Sequence, residues 1–316
     1  MPEWEERNSL DGRVAIVTGA AQGIGYAIAE DLARHGASVV IVDAGVAING
    51  EPQDAHAAEK AAAKLVAAGY KAAGLQGDVG ETATAHAAVA LAKEKFGGLD
   101  ILVNNAAIIR DGFVFKSDPA NWDATIRTNL SGAFRMVAAA TPVMRDAGKT
   151  GRAPGAIVNI LSTAGFYGNF GQAAYGSAKA GLFGLTRVAA HDLARAKVTS
   201  NAVIPFAATR VTESIVPANE AQTAYKDKAM QVPAVYVARL VTWLASPGGA
   251  HVTGQLFGVR GREMFLFSQP RPVARMVVPQ GAHDLAGLGK AIAADMAPKF
   301  TDMVTDLESF STDPVL

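Results

Sequence analysis

The sequence predicts an α/β fold in which a doubly wound, mostly parallel sheet is covered by helices on both faces, and three observations carry this. Short β-branched runs alternate with Ala-rich helical stretches, and strand–helix alternation of this kind makes a parallel sheet with right-handed crossovers. The strand runs are apolar at consecutive positions, as strands sandwiched between two helix layers must be. Half of the 316 residues are hydrophobic and 18% are charged, which is ample material for a core of that size.

Taken in order, 14–17 is the first strand and 25–35 its helix, followed by strand 38–42, helix 55–68, strand 72–76, helix 84–96 and strand 101–103. The gap between Asp43 and Ala55 holds two glycines and a proline and is a loop insertion. Helix 121–145, strand 156–161, helix 172–194 and strand 198–204 continue the pattern. It then loosens to helix 235–245 and a last strand at 255–259, about seven strands in all. Residues 1–262 therefore read as one domain and 263–316 as an extension of a different kind. The extension opens with Phe265, Phe267, Pro270 and Pro272, continues with an amphipathic segment at 285–300 and ends in an acidic tail. Together with those phenylalanines, Leu266, Val273, Met276, Val277 and Val278 would form a sizeable apolar surface in solvent. They are expected to pack on a sheet edge, a pocket rim or a neighbouring subunit.

Composition excludes several classes. With 29 basic and 29 acidic residues the formal charge is zero, so no global field attracts a polyanion and nucleic acid is not an expected partner. The chain has no cysteine, which rules out disulfides and thiolate chemistry and leaves redox work to a cofactor. Residues 1–11 are acidic and polar, unlike a secretion signal, and no run approaches the roughly 18 apolar residues of a membrane span. A cytoplasmic protein without a membrane partner is expected. None of the six histidines stands in a metal-ligand spacing, so no metal is predicted.

The segment 14–25 places Gly19, Gly23 and Gly25 where the first strand turns into a helix, with Gln22 and Ile24 between them. Glycines let the backbone turn tightly beside a pyrophosphate, and the helix N-terminus stabilises its charge. By itself this is weak, since ordinary strand-to-helix turns match it often. Asp43 strengthens it by ending the second strand 18 residues after Gly25, where a carboxylate hydrogen-bonds the adenosine ribose. The same charge repels a 2′-phosphate, and neither Gln22 nor Ala44 supplies a cation, so NAD is the expected cofactor.

Tyr175 and Lys179 are four residues apart on one face of a predicted helix. Such a pair alone usually means nothing. Here Ser162 ends the preceding strand 13 residues earlier, and Asn129 lies on an earlier helix. A phenol titrates near pH 10, too high for a base at neutral pH, and a nearby ammonium plus an oxidised nicotinamide would lower it. Ser162 would share the charge developing on a substrate oxygen.

With its Thr18-Gly-x-x-x-Gly-x-Gly25 spacing and these four residues in chain order, the sequence resembles the short-chain dehydrogenase/reductase family, a Rossmann-type fold, over residues 10–261. The resemblance implies a catalytic tetrad of Asn129, Ser162, Tyr175 and Lys179, with Asn129 holding a water that links the lysine to solvent. It also implies cofactor contacts from Gly19, Gln22, Gly23, Ile24, Asp43, the Asp78-Val79 pair, Asn105, Ala106, Tyr175, Lys179, Pro205, Ala207 and Thr209. Ala107 departs from the family's Asn-Asn-Ala-Gly, and Phe206 stands where most members have glycine.

The stretches 165–175 and 205–212, the long loop after the second strand and the C-terminal extension are similar to one branch of the family. That branch is the (3R)-hydroxyacyl-CoA dehydrogenase unit of peroxisomal multifunctional enzyme type 2 and its bacterial relatives. The branch implies oxidation of a 3-hydroxyacyl-CoA to a 3-oxoacyl-CoA in lipid metabolism, with steroid side-chain thioesters among the candidate substrates, and a homodimer or homotetramer. Two competing readings are a 3-oxoacyl thioester or general ketone reductase, disfavoured by Asp43, and a non-catalytic NAD sensor, disfavoured by the retained Tyr175 and Lys179. Trp243 reads as core packing, and Arg260, Arg262, Arg271 and Arg275 as subunit contacts or a solvated face, with CoA phosphates the less favoured alternative.

Overall fold

The computed structural model describes residues 9–209, 212–213, 220–278, 284–310 and 312–316. Arg210 and Val211 of the 205–212 motif, and residues 1–8, lie outside them. Strands β1 (Val14–Thr18), β2 (Ser38–Asp43), β3 (Ala72–Gln76), β4 (Ile101–Asn104), β5 (Ala156–Ile160), β6 (Thr199–Phe206), β7 (Leu256–Arg260) and β8 (Glu263–Leu266) form one sheet in the order β3-β2-β1-β4-β5-β6-β7-β8. The first seven are parallel; β8 runs antiparallel to β7 and adds an eighth strand to the expected seven or so. The extra strand comes from the extension. It returns through the tight 261–262 turn, in which Gly261 has φ +59°.

Helices α1 (Gly23–Arg34) and α2 (Ala57–Ala67) pack their apolar residues on one face of the sheet, and α3 (Thr82–Phe96) covers the other. The predicted 121–145 helix is interrupted. It consists of α4 (Pro119–Ile126), a π-helical turn at Arg127–Gly132 and α5 (Ala133–Asp146). Helix α6 (Ala173–Asp192) follows β5. A buried chain runs from Asn104 on β4 to Asn159 on β5 at 2.9 Å and on to Thr186 of α6 at 2.8 Å. These bonds fix α6 against the strands and so set where its first turns sit. Helix α7 (Glu220–Ala229), which no clear periodicity predicts, precedes α8 (Val235–Ala245). Trp243 on α8 is half-buried against the core, as expected.

In the extension, α9 (Leu285–Asp295) and the short α10 (Asp306–Ser309) lead to the last residues. Strand alternation decides which of its apolar residues pack: Phe265 and Phe267 turn inward, while Met264 and Leu266 face out. Val273, Val277 and Val278 are also exposed on this single chain, so only part of the expected burial is made within it.

Arg260 proves to be neither a surface nor a subunit-contact residue. It is 5% exposed, pairs with Glu263 through two bonds of 2.8 and 3.0 Å, and donates to Phe310 O, Thr312 O and Thr312 Oγ1 at 3.1, 3.0 and 2.8 Å. A guanidinium has five N–H donors, and here one group ties the β7–β8 turn to the C-terminal strap. Arg262 adds a 2.8 Å bond to Leu316 O, and Arg271 and Arg275 face solvent.

Candidate active site

A cleft of about 950 Å³ opens along the C-terminal edge of the sheet, where β1 and β4 lead in opposite directions and open α/β sheets bind their ligands. At its centre the chain turns from β1 into α1. A Cβ on Gly25 would lie 2.3 Å from Gly19 O, and one on Gly19 would lie 2.6 Å from Ala106 Cα, so both glycines are required by close backbone approach. Gly23, with φ +60°, has nothing within 4 Å of such a Cβ and leaves open space above the helix N-terminus. Gln22, Gly23 and Ile24 line the cleft there.

Asp43 lines it at the end of β2 and is held by two backbone donors, Ala21 N at 2.9 Å and Gly45 N at 2.8 Å. The loop insertion folds back beside it: Ile109 N donates to Ile48 O at 2.8 Å and Arg110 Nε to Asn49 O at 2.7 Å. Val46 and Ile48 thus wall the cleft near Asp43. Asp78 and Val79 line the opposite side, where Asp78 accepts from Gly80 N at 2.7 Å and pairs with Arg127 at 2.5 Å. Arg127, on the π-helical turn, carried no motif signal in the sequence. Asn105 donates its amide to Thr18 O at 3.0 Å and Gly19 O at 2.8 Å. Its side chain therefore braces the glycine turn, and Ala106 beside it lines the cleft.

At the other end of the cleft stand Ser162, Tyr175 and Lys179. Ser162 caps a short turn at Thr163–Gly165, accepting from Ala164 N at 3.2 Å, and lines the cleft beside Tyr175. The turn packs closely on α6, since a Cβ on Gly165 would meet Ala180 N at 2.8 Å. Burial pushes the Tyr175 phenol up to about 12; neighbouring Ser162 pulls it down, and the Asp111 and Asp306 carboxylates add to the rise. Lys179 lies over the Tyr175 ring, 5.6 Å from its centroid, and donates to Ile160 O at 2.8 Å. Burial lowers its ammonium to about 8.

Asn129 stands behind the wall instead of in the cleft. It is buried on the π-helical turn, and its side chain clasps the backbone of Ile108, accepting from N at 2.9 Å and donating to O at 2.8 Å. Pro205, Ala207 and Thr209 line the cleft after β6. The unusual Phe206 has its own partners. Its ring packs on Phe310 at 4.6 Å and Phe265 at 6.4 Å between centroids, so the side chain that replaces glycine anchors the extension. The extension in turn brings Asp306 into the lining, as α7 brings Tyr225. Sequence reasoning found neither, because each lies far from the motifs along the chain.

A family model described as short chain dehydrogenase matches residues 13–221. The chain belongs to the short-chain dehydrogenase family. This dehydrogenase is 39% identical to the hydroxyacyl-CoA dehydrogenase ChsB1 of Mycobacterium tuberculosis, over 85% of its own length and 84% of that protein. It is 38% identical to a 3-oxoacyl-[acyl-carrier-protein] reductase of Synechocystis, covering 80% and 97% of the two chains. A 34% match to the peroxisomal hydratase-dehydrogenase-epimerase of Neurospora crassa covers 81% of this chain and 27% of that one. Among solved structures, a short chain dehydrogenase from Mycobacterium avium superposes with a TM-score of 0.76 at 37% identity, covering 90% and 94%. The dehydrogenase is accordingly an oxidoreductase of a family that uses nicotinamide cofactors. Among the described residues, no helix is long and apolar enough to cross a membrane.

Proposed function

We propose that this chain is an NAD-dependent dehydrogenase that oxidises a 3-hydroxyacyl-CoA to the 3-oxoacyl-CoA. The observation that carries the reading is the convergence of Ser162, Tyr175 and Lys179, the last over the Tyr175 ring, in one cleft with a glycine turn and the Asp43 carboxylate. The open space over Gly23 fits a pyrophosphate and Asp43 fits ribose hydroxyls. A nicotinamide bound there would supply the acceptor for the hydride of the carbinol carbon. Gly19, Gln22, Gly23 and Ile24 would hold the phosphates, Asp78, Val79, Asn105 and Ala106 the adenosine side, and Pro205, Ala207 and Thr209 the nicotinamide end.

Ser162 and Tyr175 orient the substrate hydroxyl, Tyr175 oxygen receives its proton, and Lys179 steadies the phenolate. Both polar atoms of the Asn129 side chain are spent on Ile108, so the water expected at this residue would be held by its backbone carbonyl. The 39% identity to an enzyme named as a hydroxyacyl-CoA dehydrogenase supports the direction and the thioester. Phe113 and Phe170, which line the mouth and stay 51% and 80% exposed, suit a bulky acyl group such as a steroid side chain. A homodimer or homotetramer would cover apolar residues that the single chain leaves exposed.

The reductase reading rests on the 3-oxoacyl-[acyl-carrier-protein] reductases among the relatives. Asp43 opposes it, because its charge stands where a 2′-phosphate would lie and Gln22, Ala44, Val46 and Ile48 around it supply no cation. The test is spectrophotometric, with both oxidised cofactors against a panel of 3-hydroxyacyl-CoA thioesters of rising bulk, steroidal ones included. Turnover with NAD⁺ and little with NADP⁺ is expected; a preference for NADPH-driven reduction would favour the alternative.

A further inference from the structure

Helix α7 carries no motif, yet it presents two residues of one face, Tyr225 and Ala229, to the cleft. Its C-terminal half is tied to two other parts of the fold. Val232, just past its end, is buried and accepts from Ala208 N at 2.8 Å, within the segment whose Ala207 and Thr209 line the cleft. Lys228 pairs with Asp313 of the C-terminal strap. Tyr225 is thus a half-buried part of the cleft wall, not a ring on a free surface helix.

Tyr225 belongs to the substrate end of the cleft. Asp306 bears on both the Tyr175 and the Tyr225 phenol, and it accepts a 2.5 Å hydrogen bond from Thr163, the neighbour of Ser162. Burial first and Asp306 second, with Arg260 opposing, hold the Tyr225 phenol above its ordinary value, so it keeps its proton and can donate it. Among the described residues its hydroxyl makes no hydrogen bond. Thr163 and Thr212, which also line the cleft, have already spent their hydroxyl protons, on Asp306 and on Ala207 O at 2.8 Å.

We propose that Tyr225 is a substrate-positioning residue whose hydroxyl donates to the thioester carbonyl. In the reaction assigned above, Ser162 and Tyr175 take the oxygen on the carbinol carbon. A 3-hydroxyacyl thioester has a second oxygen two carbons away, and a carbonyl can only accept. A few placed polar groups in a mostly apolar cleft fix a ligand's orientation in this way. An analogue without the carbonyl would leave the phenol unpaired inside the filled cleft, which disfavours it. The inference rests on the 3-hydroxyacyl thioester reading and deepens it by naming the residue that reads the thioester.

The test is calorimetric binding of two ketones to the full chain saturated with NAD⁺, which has no hydride to give them. One is the acetoacetyl thioester of N-acetylcysteamine; the other is its thioether analogue, in which a methylene replaces the thioester carbonyl. Wild type should bind the thioester about tenfold more tightly, the upper range for one hydrogen bond, and Tyr225→Phe should cut that gap to about twofold. Affinity for the thioether should stay unchanged in the variant, whereas a merely structural role would weaken both ligands alike. Tyr225→Met makes the same comparison if the phenylalanine variant does not fold. Equal affinity of wild type for the two ligands, or a gap that survives the loss of the hydroxyl, overturns the proposal. Failure to turn over any 3-hydroxyacyl-CoA with the Tyr225-dependent gap intact would count against the assigned reaction and leave the carbonyl contact standing.

Discussion

Tyr175 and Lys179 are both displaced from their ordinary titration by the same cause, removal from water, and in opposite directions. For oxidation the phenol must be deprotonated, so kcat/KM should climb with pH above 7 and reduction should fall at high pH. Tyr175→Phe should lose at least about 100-fold in kcat while NAD⁺ affinity stays within a few-fold, because only the hydroxyl relays the proton. Stopped-flow turnover and cofactor titration check both halves.

Lys179 carries a stability consequence as well. Its folded value of about 8 lies below the unfolded 10.5. Below pH 8 both states hold the proton and the fold bears the full cost of burying it. Between pH 8 and 10.5 the unfolded state binds more protons, so stability rises with pH across that window. Lys179→Met should therefore abolish turnover yet raise the thermal midpoint at pH 7, relieving a penalty on the order of 3 kcal/mol. Scanning calorimetry at pH 7 and pH 10 reads both the gain and its disappearance. With Asp43 in its proposed role, Asp43→Ala would remove ribose hydrogen bonds and a repulsion together: KM for NAD⁺ should rise about tenfold while that for NADP⁺ holds or falls. Equal use of both cofactors by the wild type would refute the role of this carboxylate.

At the scale of elements, the π-helical turn and the C-terminal strap do what regular helices and strands would not. The turn at Arg127–Gly132 buries Asn129 against Ile108 and aims Arg127 at Asp78 and Glu81, so one irregular stretch ties two walls of the cleft. Irregular turns of this kind often occur at functional sites. The strap depends on Arg260, whose removal would strand Glu263 and free the backbone of Phe310 and Thr312. Arg260→Met should cost about 1–2 kcal/mol, the loss of several part-buried hydrogen bonds to a charged group, since Glu263 stays partly in water. It should also open the last dozen or so residues to limited proteolysis. Mass spectrometry of the fragments locates the cut; resistance equal to wild type would show that the aromatic cluster alone holds the strap.

For the whole molecule, the extension is part of the sheet and of the cleft together. A chain ending at Arg262 would expose the β7 edge, strip Phe206 of Phe265 and Phe310, and remove Asp306 from the lining. Unpaired edges and uncovered apolar surface favour association. Such a chain should aggregate, or if soluble should lose affinity for bulky acyl-CoA substrates more than for short ones. Light scattering and KM values across the thioester panel test this. Unchanged mass and unchanged KM values would mean the extension serves neither purpose.

What the sequence by itself determined is the local and periodic part: the parallel sheet from its apolar runs, the β1–α1 turn from Gly19, Gly23 and Gly25, and the grouping of Ser162, Tyr175 and Lys179 from their spacing. Each of these follows from contacts within or between neighbouring elements, so the pattern is written in adjacent residues. The tertiary structure alone decided that Asn105 braces the glycine turn, that Arg127 clamps Asp78, and that Phe206 anchors the extension. It alone placed Asp306 beside Thr163 and Arg260 inside the molecule. The reason is physical: a charged or aromatic side chain reads as surface or core only once its partners are known, and here the partners arrive from 49 to 143 residues away, or across a turn that only folding closes.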